Sequence, residues 1–452
     1  MNSQQSFDLV VIGTGVAAGT VISQVGSAGW KIAIVDERPF GGTCQLRGCD
    51  PKKILRRGAE IIDAARLLHG RGIAGADTLA IDWPALIKFK REFTDPVPEA
   101  REKPWREQGI ATFHEHAEFV DERTLSIGDK RVHADRIVLA IGARPMPLPI
   151  DGAEHLIHSD DFMELDSLPR RLVFVGGGYI SFEFAHIAAR AGAEVTLLEM
   201  GERPLAQFDP DLVEKLVQRS RAIGIDIRTN AQVEKIEKRA DGFTVRAKIY
   251  GEACAFEADG VVHGAGRVPA TDGLELERGG VRFSKRGIEI NEYLQSVSNP
   301  AVYAAGDASA TDGPPLTPVA NLEGSAVGHN LLNGNSKTVD YRGVPSCAFT
   351  VPPLASAGLS EAAAQERDID YDCKLIDMSD WYLARRVGET CAAAKILIGK
   401  DKHIVGAHLL GPECEQIINF FGIAIRNDWA VEELAGVVSA YPSAASYVGH
   451  LV

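Results

Sequence analysis

Two cysteines with four residues between them form the part of the chain best suited to chemistry. Cys44 and Cys49 lie in the stretch GGTCQLRGCDPKK. In a regular helix, residues five positions apart have Cα atoms about 8–9 Å apart, whereas a disulfide needs about 4.4–6.8 Å. A bonded pair therefore requires a distorted helix at this point, which Gly48 could provide. The alternative is two buried thiols, because cysteine often packs in protein cores.

A glycine-rich turn before the cysteines predicts a dinucleotide site. An apolar run ends at Gly13, and Gly13-x-Gly15-x-x-Ala18 fits the pattern G-x-G-x-x-G/A. Gly13 permits the tight turn, Gly15 lets the backbone approach a pyrophosphate, and Ala18 keeps the helix close to the strand. The next apolar run ends at Asp36, which is placed to accept hydrogen bonds from ribose hydroxyls.

The same strand–turn–helix–strand plan recurs at residues 171–199. Gly176 and Gly178 form its turn, and its second strand ends at Glu199. A carboxylate there favours a free 2′-hydroxyl and hence NADH, whereas a 2′-phosphate would favour arginine. Arg203 is close by and is either such a phosphate contact or a surface charge. The pattern mildly favours NADH over NADPH.

The composition fits a globular protein of several domains. The 452 residues are 45% hydrophobic and 24% charged, with a formal net charge of −14. This charge disfavours nucleic acid and an anionic membrane surface as partners. No apolar stretch is long enough to span a bilayer, and the N-terminus shows no secretory signal. Seven cysteines are too few for a disulfide scaffold, so a cytoplasmic protein is expected.

The order of these patterns predicts an α/β fold. Each strand–turn–helix–strand segment is a βαβ unit, which implies a parallel sheet and a right-handed crossover. After Pro345 the sequence pattern changes to segments with alternating apolar residues, followed by segments with the apolar spacing of helices. This pattern predicts a terminal α+β domain.

Taken together, the motifs resemble those of the class I pyridine nucleotide–disulfide oxidoreductases, the family of glutathione reductase, dihydrolipoyl dehydrogenase and mercuric reductase. The resemblance extends over nearly the whole length. It rests on GGTC-x4-C-x-PKK, IVLAIGARP (137–145), GGGYISFE (176–183), GAGRVPAT (264–271), VYAAGDA (302–308) and LTPVA (316–320).

The resemblance implies two Rossmann-like dinucleotide-binding domains and a C-terminal α+β dimerisation domain. The implied ranges are 1–150 with 269–338 for FAD, 151–268 for NAD(P)H and 339–452 for dimerisation. It also implies a homodimer in which the terminal domain completes the active site of the partner subunit, and a small-molecule substrate. No resident metal ion is implied.

The resemblance assigns roles to four residues around the cysteine pair. Cys49 matches the cysteine beside the flavin, which forms the charge-transfer thiolate, and Cys44 matches the interchange thiol that attacks substrate. Lys53 matches the lysine near the reactive edge of the flavin, and Glu183 matches its acidic partner. A cation there would favour electron density arriving on the ring.

Further positions match cofactor contacts of the family. Tyr179 matches the aromatic residue that covers the nicotinamide pocket, and Asp307 matches the acid that binds the ribityl chain of the flavin. The remaining cofactor-binding candidates lie within the matching segments: Gly42, Thr43, Gly142, Gly266, Arg267, Thr317 and Ala320.

Two departures from the family pattern bear on mechanism. Its disulfide reductases carry a histidine and a downstream glutamate in HPTxxE, where this chain has Tyr441 and Ser446. An imidazole with a pKa near 6.5 can take and return a proton at neutral pH. A phenol with a pKa near 10 will not, and loss of a positioned acid–base group typically costs about 10²–10⁴-fold. Asp50, beside Cys49, could raise the pKa of that thiol if it faces it.

Three functions follow as hypotheses. The first is an FAD enzyme that passes electrons from NAD(P)H through the Cys44–Cys49 disulfide to a small disulfide or a thiol-reactive oxidant. The second is a reductase of a metal ion, quinone or dye. Mercuric reductases also have an aromatic residue in place of the histidine, although this chain lacks their C-terminal cysteine pair. The third is a flavin-bearing redox sensor whose turnover has decayed.

Overall fold

Residues 5–452, which the computed structural model describes, fold into two units. Of the described residues, the first unit comprises 5–52, 89–146 and 267–341. The second comprises residues 53–88, 147–266 and 342–452. Both units combine stretches that lie far apart in the sequence. The domain ranges implied by the family resemblance remain a prediction.

The first unit is organised around a mostly parallel sheet of seven strands. Its order is Ala111–Phe113, Ile32–Val35, Gln5–Ile12, Lys130–Leu139, Thr124–Ile127 and Ala117–Phe119, and Val302–Ala304 also pairs with Lys130–Leu139. Two short antiparallel pairs accompany it: Ala143–Pro145 with Arg267–Pro269, and Phe283–Ser284 with Gly287–Ile288.

Both faces of this sheet are buried. Along the central strand, Leu9 and Val11 belong to one hydrophobic core, and Val10 and Ile12 belong to another. Alternate residues of a strand point to opposite faces, so an uninterrupted apolar run marks a strand covered on both sides. The run that ends at Gly13 is such a strand.

The helices of the first unit follow its strands. They are Val16–Val25, Gly42–Arg47, Val97–Glu107 and Thr317–Asn333. Two further helices, Cys49–Leu67 and Trp83–Thr94, have residues in both units.

The second unit contains three sheets. The parallel nucleotide-type sheet runs in the order Ile225–Arg228, Glu194–Leu198, Arg171–Val175, Gly260–His263 and Leu156–Ile157. An antiparallel sheet contains Ala231–Arg239, Gly242–Ile249 and Glu252–Ala258. The terminal antiparallel sheet runs in the order Ser346–Ala348, Leu354–Gly358, Ile404–Leu410, Ala393–Gly399 and Tyr371–Asp377.

Helices of the second unit cover these sheets. They are Ser159–Phe162, Tyr179–Arg190, Pro210–Ala222, Glu361–Glu366, Tyr382–Arg385, Cys414–Arg426, Val431–Ala435 and Val448–Leu451, with 3₁₀ turns at Ala76–Thr78, Ala153–His155 and Ala444–Tyr447. The predicted α/β fold with two dinucleotide-type βαβ units and a terminal α+β region is confirmed. Among residues 5–452, no helix is long and apolar enough to cross a membrane.

A buried charge cluster joins several helices of the second unit. Arg190 donates to Asp63 from Nε at 3.0 Å and from Nη2 at 2.7 Å. Arg219 donates to both oxygens of Asp63 and also pairs with Glu389. His186 lies beside Arg190, and burial, followed by the charges of Arg190 and Arg219, holds the pKa of this histidine well below its usual value. His186 is therefore neutral at physiological pH.

Candidate active site

The cysteine pair lies at a break between two helices of the first unit. Helix Gly42–Arg47 carries Cys44, and helix Cys49–Leu67 begins with Cys49. Gly48 separates them with φ −146° and ψ −111°. A Cβ atom at Gly48 would lie 2.9 Å from the carbonyl oxygen of Thr43. The distortion that the sequence requires for a bonded pair is present at the predicted glycine.

Cys44 and Cys49 are in direct contact through a side-chain hydrogen bond. That bond is the largest cause of a raised pKa at Cys44, followed by burial and the charge of Cys49. The Thr317 hydroxyl lies 3.5 Å from the Cys49 sulfur. A hydrogen bond from Thr317 lowers the pKa of Cys44. Asp50 adds a small further increase to the pKa of Cys44. In the dithiol form, these causes together favour the protonated form of Cys44 over its thiolate.

The dinucleotide turn packs directly against the start of the cysteine helix. Gly42 has φ +68°, and a Cβ atom there would overlap the backbone of Gly15. Helix Val16–Val25 begins after Gly15 with no side-chain capping bond, so its first amides are left to a ligand or solvent. Two glycine backbones and an uncapped helix N-terminus form a cradle that suits a pyrophosphate.

Asp36 fixes the shape of this turn. Its Oδ2 accepts from the Thr14 amide at 3.0 Å and from the Thr14 hydroxyl at 2.6 Å. Its Oδ1 accepts from the Arg38 amide at 3.0 Å. A carboxylate has about four lone-pair sites, so Asp36 retains capacity to accept from ribose. Thr14 is a site residue that the glycine pattern did not indicate.

The other predicted flavin residues of the first unit lie on five segments of the chain. Thr317 and Ala320 lie in the first turn of helix Thr317–Asn333. Asp307 is half-buried, and burial raises its pKa while the charge of Arg267 lowers it. Arg267 also donates to the carbonyl of Ala143, beside Gly142. Thr43 is exposed, next to Cys44.

The second glycine turn lies in the second unit and has the same construction. Gly176 has φ +98°, and a Cβ atom there would lie 2.6 Å from the Cα of Ala265. Gly178 precedes helix Tyr179–Arg190, whose N-terminus has no side-chain capping bond. Tyr179 is the first residue of that helix and is half-buried. This arrangement leaves the helix N-terminus open to a phosphate. Gly266 lies in the exposed turn after strand Gly260–His263.

Glu199 and Arg203 hold the turn that follows the second strand. Glu199 accepts from the amide of Gly177 at 2.5 Å and from that of Gly201 at 2.6 Å. Arg203 donates to the carbonyls of Phe208 at 2.9 Å, Ala206 at 3.0 Å and Leu205 at 3.4 Å. The Arg203 guanidinium is thus occupied by the backbone of its own loop.

Lys53 and Glu183 form an ion pair in the second unit. Lys53 Nζ lies 3.6 Å from Glu183 Oε2, and the Glu183 side chain is buried. Phe349 touches both partners, because its ring centroid lies 3.5 Å from Lys53 Nζ and its amide donates to Glu183 at 3.0 Å. The predicted pairing is present, and Phe349 is a contact that the sequence pattern did not indicate.

Tyr441 lies in the terminal segment of the second unit. Its side chain is 85% exposed, and Val438 nearby is 97% exposed. Ser446 donates from its hydroxyl to the carbonyl of Ser443 rather than towards Tyr441. Within one subunit, Tyr441 therefore packs into no core.

A group of three carboxylates elsewhere in the second unit is occupied by a lysine. Asp209, Asp211 and Glu361 are spaced closely enough for a metal ion. Lys395 Nζ lies 2.8 Å from Asp209, 2.5 Å from Asp211 and 2.6 Å from Glu361. The ammonium group supplies the positive charge that a cation would otherwise bring.

Sequence comparison places the chain in a family. Residues 7–324 match the pyridine nucleotide-disulphide oxidoreductase family, and residues 344–452 match the dimerisation domain of the same family. The chain belongs to the pyridine nucleotide-disulphide oxidoreductases. It is therefore an FAD-containing, NAD(P)H-dependent disulfide oxidoreductase, as predicted from its motifs.

Curated relatives carry several different activities within this family. A glutathione reductase from Burkholderia cepacia is 32% identical over 97% of this chain and 97% of the relative. A mercuric reductase from Staphylococcus aureus is 30% identical over 97% of this chain and 81% of the relative. The family membership thus leaves the electron acceptor open.

Solved structures include one that is similar over the full length of this chain. A Cu(II) complex of the HOCl-induced flavoprotein disulfide reductase RclA from Escherichia coli aligns with 100% of this chain and 99% of that chain. The TM-score is 0.87 at 26% sequence identity. The similarity confirms the FAD-dependent oxidoreductase fold with its dimerisation domain.

Proposed function

We propose that this enzyme oxidises NADH, reduces a Cys44–Cys49 disulfide and passes the electrons to a thiol-reactive oxidant. FAD would be held by the cradle of Gly13, Gly15 and Gly42, with Asp36 facing the ribose. When bound, FAD supplies two-electron transfer between the nicotinamide and the disulfide. The contact between Cys44 and Cys49 carries this proposal, because it places the two sulfur atoms close enough to be oxidised together to a disulfide.

Residues of the other sequence motifs are further proposed contacts of the two cofactors. Ala18 would keep helix Val16–Val25 close to its strand, and Asp307 and Thr317 are further proposed contacts of FAD. The further proposed contacts are Gly42, Thr43, Gly142, Arg267 and Ala320. For the nicotinamide nucleotide, the proposed contacts are Gly176, Gly178, Tyr179, Glu199 and Gly266.

The acceptor class follows from the residue at position 441. Attack on a disulfide requires a thiolate, and the family's disulfide reductases have a histidine base at this position, where this chain has Tyr441. A phenol does not take up a proton at neutral pH. A metal cation, by contrast, displaces the proton of a thiol that coordinates it. A soft metal ion is therefore the acceptor that we favour over a small disulfide. The mercuric reductase relative and the Cu(II) complex of RclA support this choice.

The step at the cysteines balances without an added base. After reduction, Cys49 is a thiolate and Cys44 is a thiol, so metal binding displaces one proton, that of Cys44, and formation of the Cys44–Cys49 bond releases two electrons. These electrons reduce two Cu(II) ions to Cu(I), or one Hg(II) ion to Hg(0). The disulfide is then ready for the next NADH.

An anaerobic titration tests the electron path. One equivalent of NADH should produce a long-wavelength absorbance band from a Cys49 thiolate beside the flavin. Adding Cu(II) with a Cu(I)-specific chelator should then give two Cu(I) per active site and remove the band. Full flavin bleaching without the band would instead indicate direct flavin reduction of a quinone or dye. No reaction with NADH or NADPH would indicate a redox sensor.

Replacing Tyr441 by histidine should create disulfide reductase activity. In the proposed homodimer, residue 441 faces Cys44 of the partner subunit, so an imidazole there could take the proton that Cys44 retains. We expect Tyr441→His to raise turnover of glutathione disulfide by about 10²-fold. The gain should fall away below a pH near 6.5, where the imidazole becomes protonated.

Tyr441→Phe is the matched control, since it changes the same exposed side chain without adding a base. Its disulfide turnover should equal that of the wild type, and Cu(II) reduction should be unchanged in both variants. An equal gain in Tyr441→Phe would show that opening the site, rather than proton transfer, limits turnover. Such a result would contradict the proposed role of position 441.

The enzyme should prefer NADH to NADPH. A 2′-phosphate would lie against the Glu199 carboxylate, and Arg203 is already bonded to three backbone carbonyls. Repulsion of this kind costs more than about 1.4 kcal/mol, so we expect kcat/KM for NADH to exceed that for NADPH by about tenfold or more. Steady-state rates with each nucleotide measure this. Equal kcat/KM values would show that another cation receives the phosphate.

The proposed homodimer uses the exposed terminal segment. Val438 and Tyr441 are exposed apolar side chains within the dimerisation domain. Light scattering should give twice the chain mass of 48.7 kDa. A monomer would exclude the placement of Tyr441 at the partner's active site. A cytoplasmic location is the setting that we propose for this dithiol chemistry.

A further inference from the structure

A buried carboxylate in the first unit receives four hydrogen bonds. Glu323 is 1% exposed. Its Oε2 accepts from the Gly306 amide at 2.6 Å and from the Ser309 hydroxyl at 3.3 Å. Its Oε1 accepts from the Thr311 hydroxyl at 3.0 Å and from the Tyr341 hydroxyl at 2.8 Å. Three of these donors belong to the loop 306–311, so one side chain holds the whole loop.

This loop carries Asp307, the candidate contact for the flavin ribityl chain. Gly306, just before it, lies beside both Ala17 and Ala320, because a Cβ atom there would be in van der Waals contact, at 3.5 Å, with the Cβ atoms of both residues. Ala17 belongs to the helix of the dinucleotide turn, and Ala320 belongs to the helix that begins at Thr317. The loop is therefore seated between two elements of the proposed flavin site.

The helix that carries Glu323 is itself fixed in position. A Cβ atom at Gly324 would lie 2.6 Å from the carbonyl oxygen of Ala17, so the two helices touch through their backbones. The Tyr341 ring covers Gly313, just beyond the loop, where a Cβ atom would lie 2.5 Å from the ring. Glu323 and the Tyr341 hydroxyl, which are 2.8 Å apart, thus hold the loop and the segment that follows it.

We propose that Glu323 is a positioning residue that sets the place of Asp307 and thereby controls how tightly the enzyme holds FAD. Glu323 does not touch the cofactor in this proposal. It acts through the Gly306 amide, which adjoins Asp307, and through the two hydroxyl groups further along the loop. The inference depends on the proposed contact between Asp307 and FAD.

The test is the rate at which holoprotein releases FAD after dilution, followed by the rise in flavin fluorescence. Glu323→Gln keeps the size of the side chain but turns an amide towards groups that now donate to the carboxylate. We expect FAD release about tenfold faster than in the wild type, since bonds to a charged acceptor are the stronger ones. Glu277→Gln, the same change at an exposed site of the same unit, should release FAD at the wild-type rate.

Asp307→Asn separates failure of this inference from failure of the flavin placement. Wild-type release in Asp307→Asn would show that Asp307 does not hold FAD, and the placement would fail. Faster release in Asp307→Asn together with wild-type release in Glu323→Gln would overturn only the role of Glu323.

Tyr341→Phe keeps the test open if Glu323→Gln does not fold. It removes one donor to Glu323 while leaving the ring over Gly313. Release about threefold faster is expected, as for loss of one bond to a charged group. A purely structural role would lower the melting temperature of both variants without changing the release rate, which would also contradict the proposal.

Discussion

Replacement of Cys44 by serine is expected to abolish Cu(II) reduction while NADH still reduces the flavin. Serine preserves the size of the side chain and can still hydrogen bond to Cys49, so helix Gly42–Arg47 should keep its conformation. A hydroxyl, however, can neither coordinate a soft metal well nor form the second half of a disulfide. We expect metal reduction to fall by more than about 10³-fold, as when one member of a cooperating catalytic unit is removed.

Rapid mixing with NADH and then with Cu(II) measures the two halves separately. Reduction of the flavin by NADH should proceed at the wild-type rate, and Cu(I) should not form from the added Cu(II). Cys373→Ser is the matched control, because this cysteine is exposed and lies outside the described site. Rapid Cu(I) formation by Cys44→Ser would show that the flavin passes electrons to the metal directly and that the dithiol is not on the path.

The parts of the fold that were predictable have local causes. The apolar run before Gly13, the glycine turn and the acidic residue at the next strand end all lie within about one βαβ unit. The same is true of the turn at Gly176. Short-range patterns of this kind depend on backbone conformation and periodicity, which each segment carries by itself. Both βαβ units and the terminal α+β region are therefore confirmed.

The break at Gly48 was predictable for a different reason. Two cysteines five positions apart in a regular helix are too far from each other to form a disulfide, so a redox-active pair at this spacing requires an irregular backbone. Only one residue between them lacks a side chain, and the helix ends there. In this case a functional requirement predicted local geometry.

Other parts of the site depend on partners far apart in the sequence. Thr317 meets Cys49 across 268 positions, and no spacing rule connects them. Glu323 lies in the segment VANLEGSAVG, where a single acid in a helix has the appearance of a surface charge. Its burial arises because Gly324 brings two helices into backbone contact, a consequence of tertiary packing. For the same reason, the segment AEIIDAARLL does not predict that Asp63 is buried, because its arginine partners lie far away in the sequence.

Loss of Asp63 should strongly weaken the second unit. Its side chain is 8% exposed and lies between Arg190, which is 2% exposed, and Arg219. Arg190 is 127 positions away and donates two hydrogen bonds to Asp63. Without Asp63, Arg219 would still pair with Glu389. The carboxylate to which Arg190 donates is that of Asp63. Removal of Asp63 would leave a buried guanidinium without its counter-charge.

We expect Asp63→Ala to lower the free energy of unfolding by about 3–5 kcal/mol, the usual effect of removing one partner of a buried ion pair. Urea unfolding followed by circular dichroism measures the change. Asp226→Ala removes the partner of Arg228 in a pair that is 42% and 51% exposed, and it should cost less than about 1 kcal/mol. Equal losses in the two variants would show that water solvates Arg190 once Asp63 is gone. A much larger loss in Asp63→Ala would establish that the helices Cys49–Leu67, Tyr179–Arg190 and Pro210–Ala222 are held together through this one carboxylate.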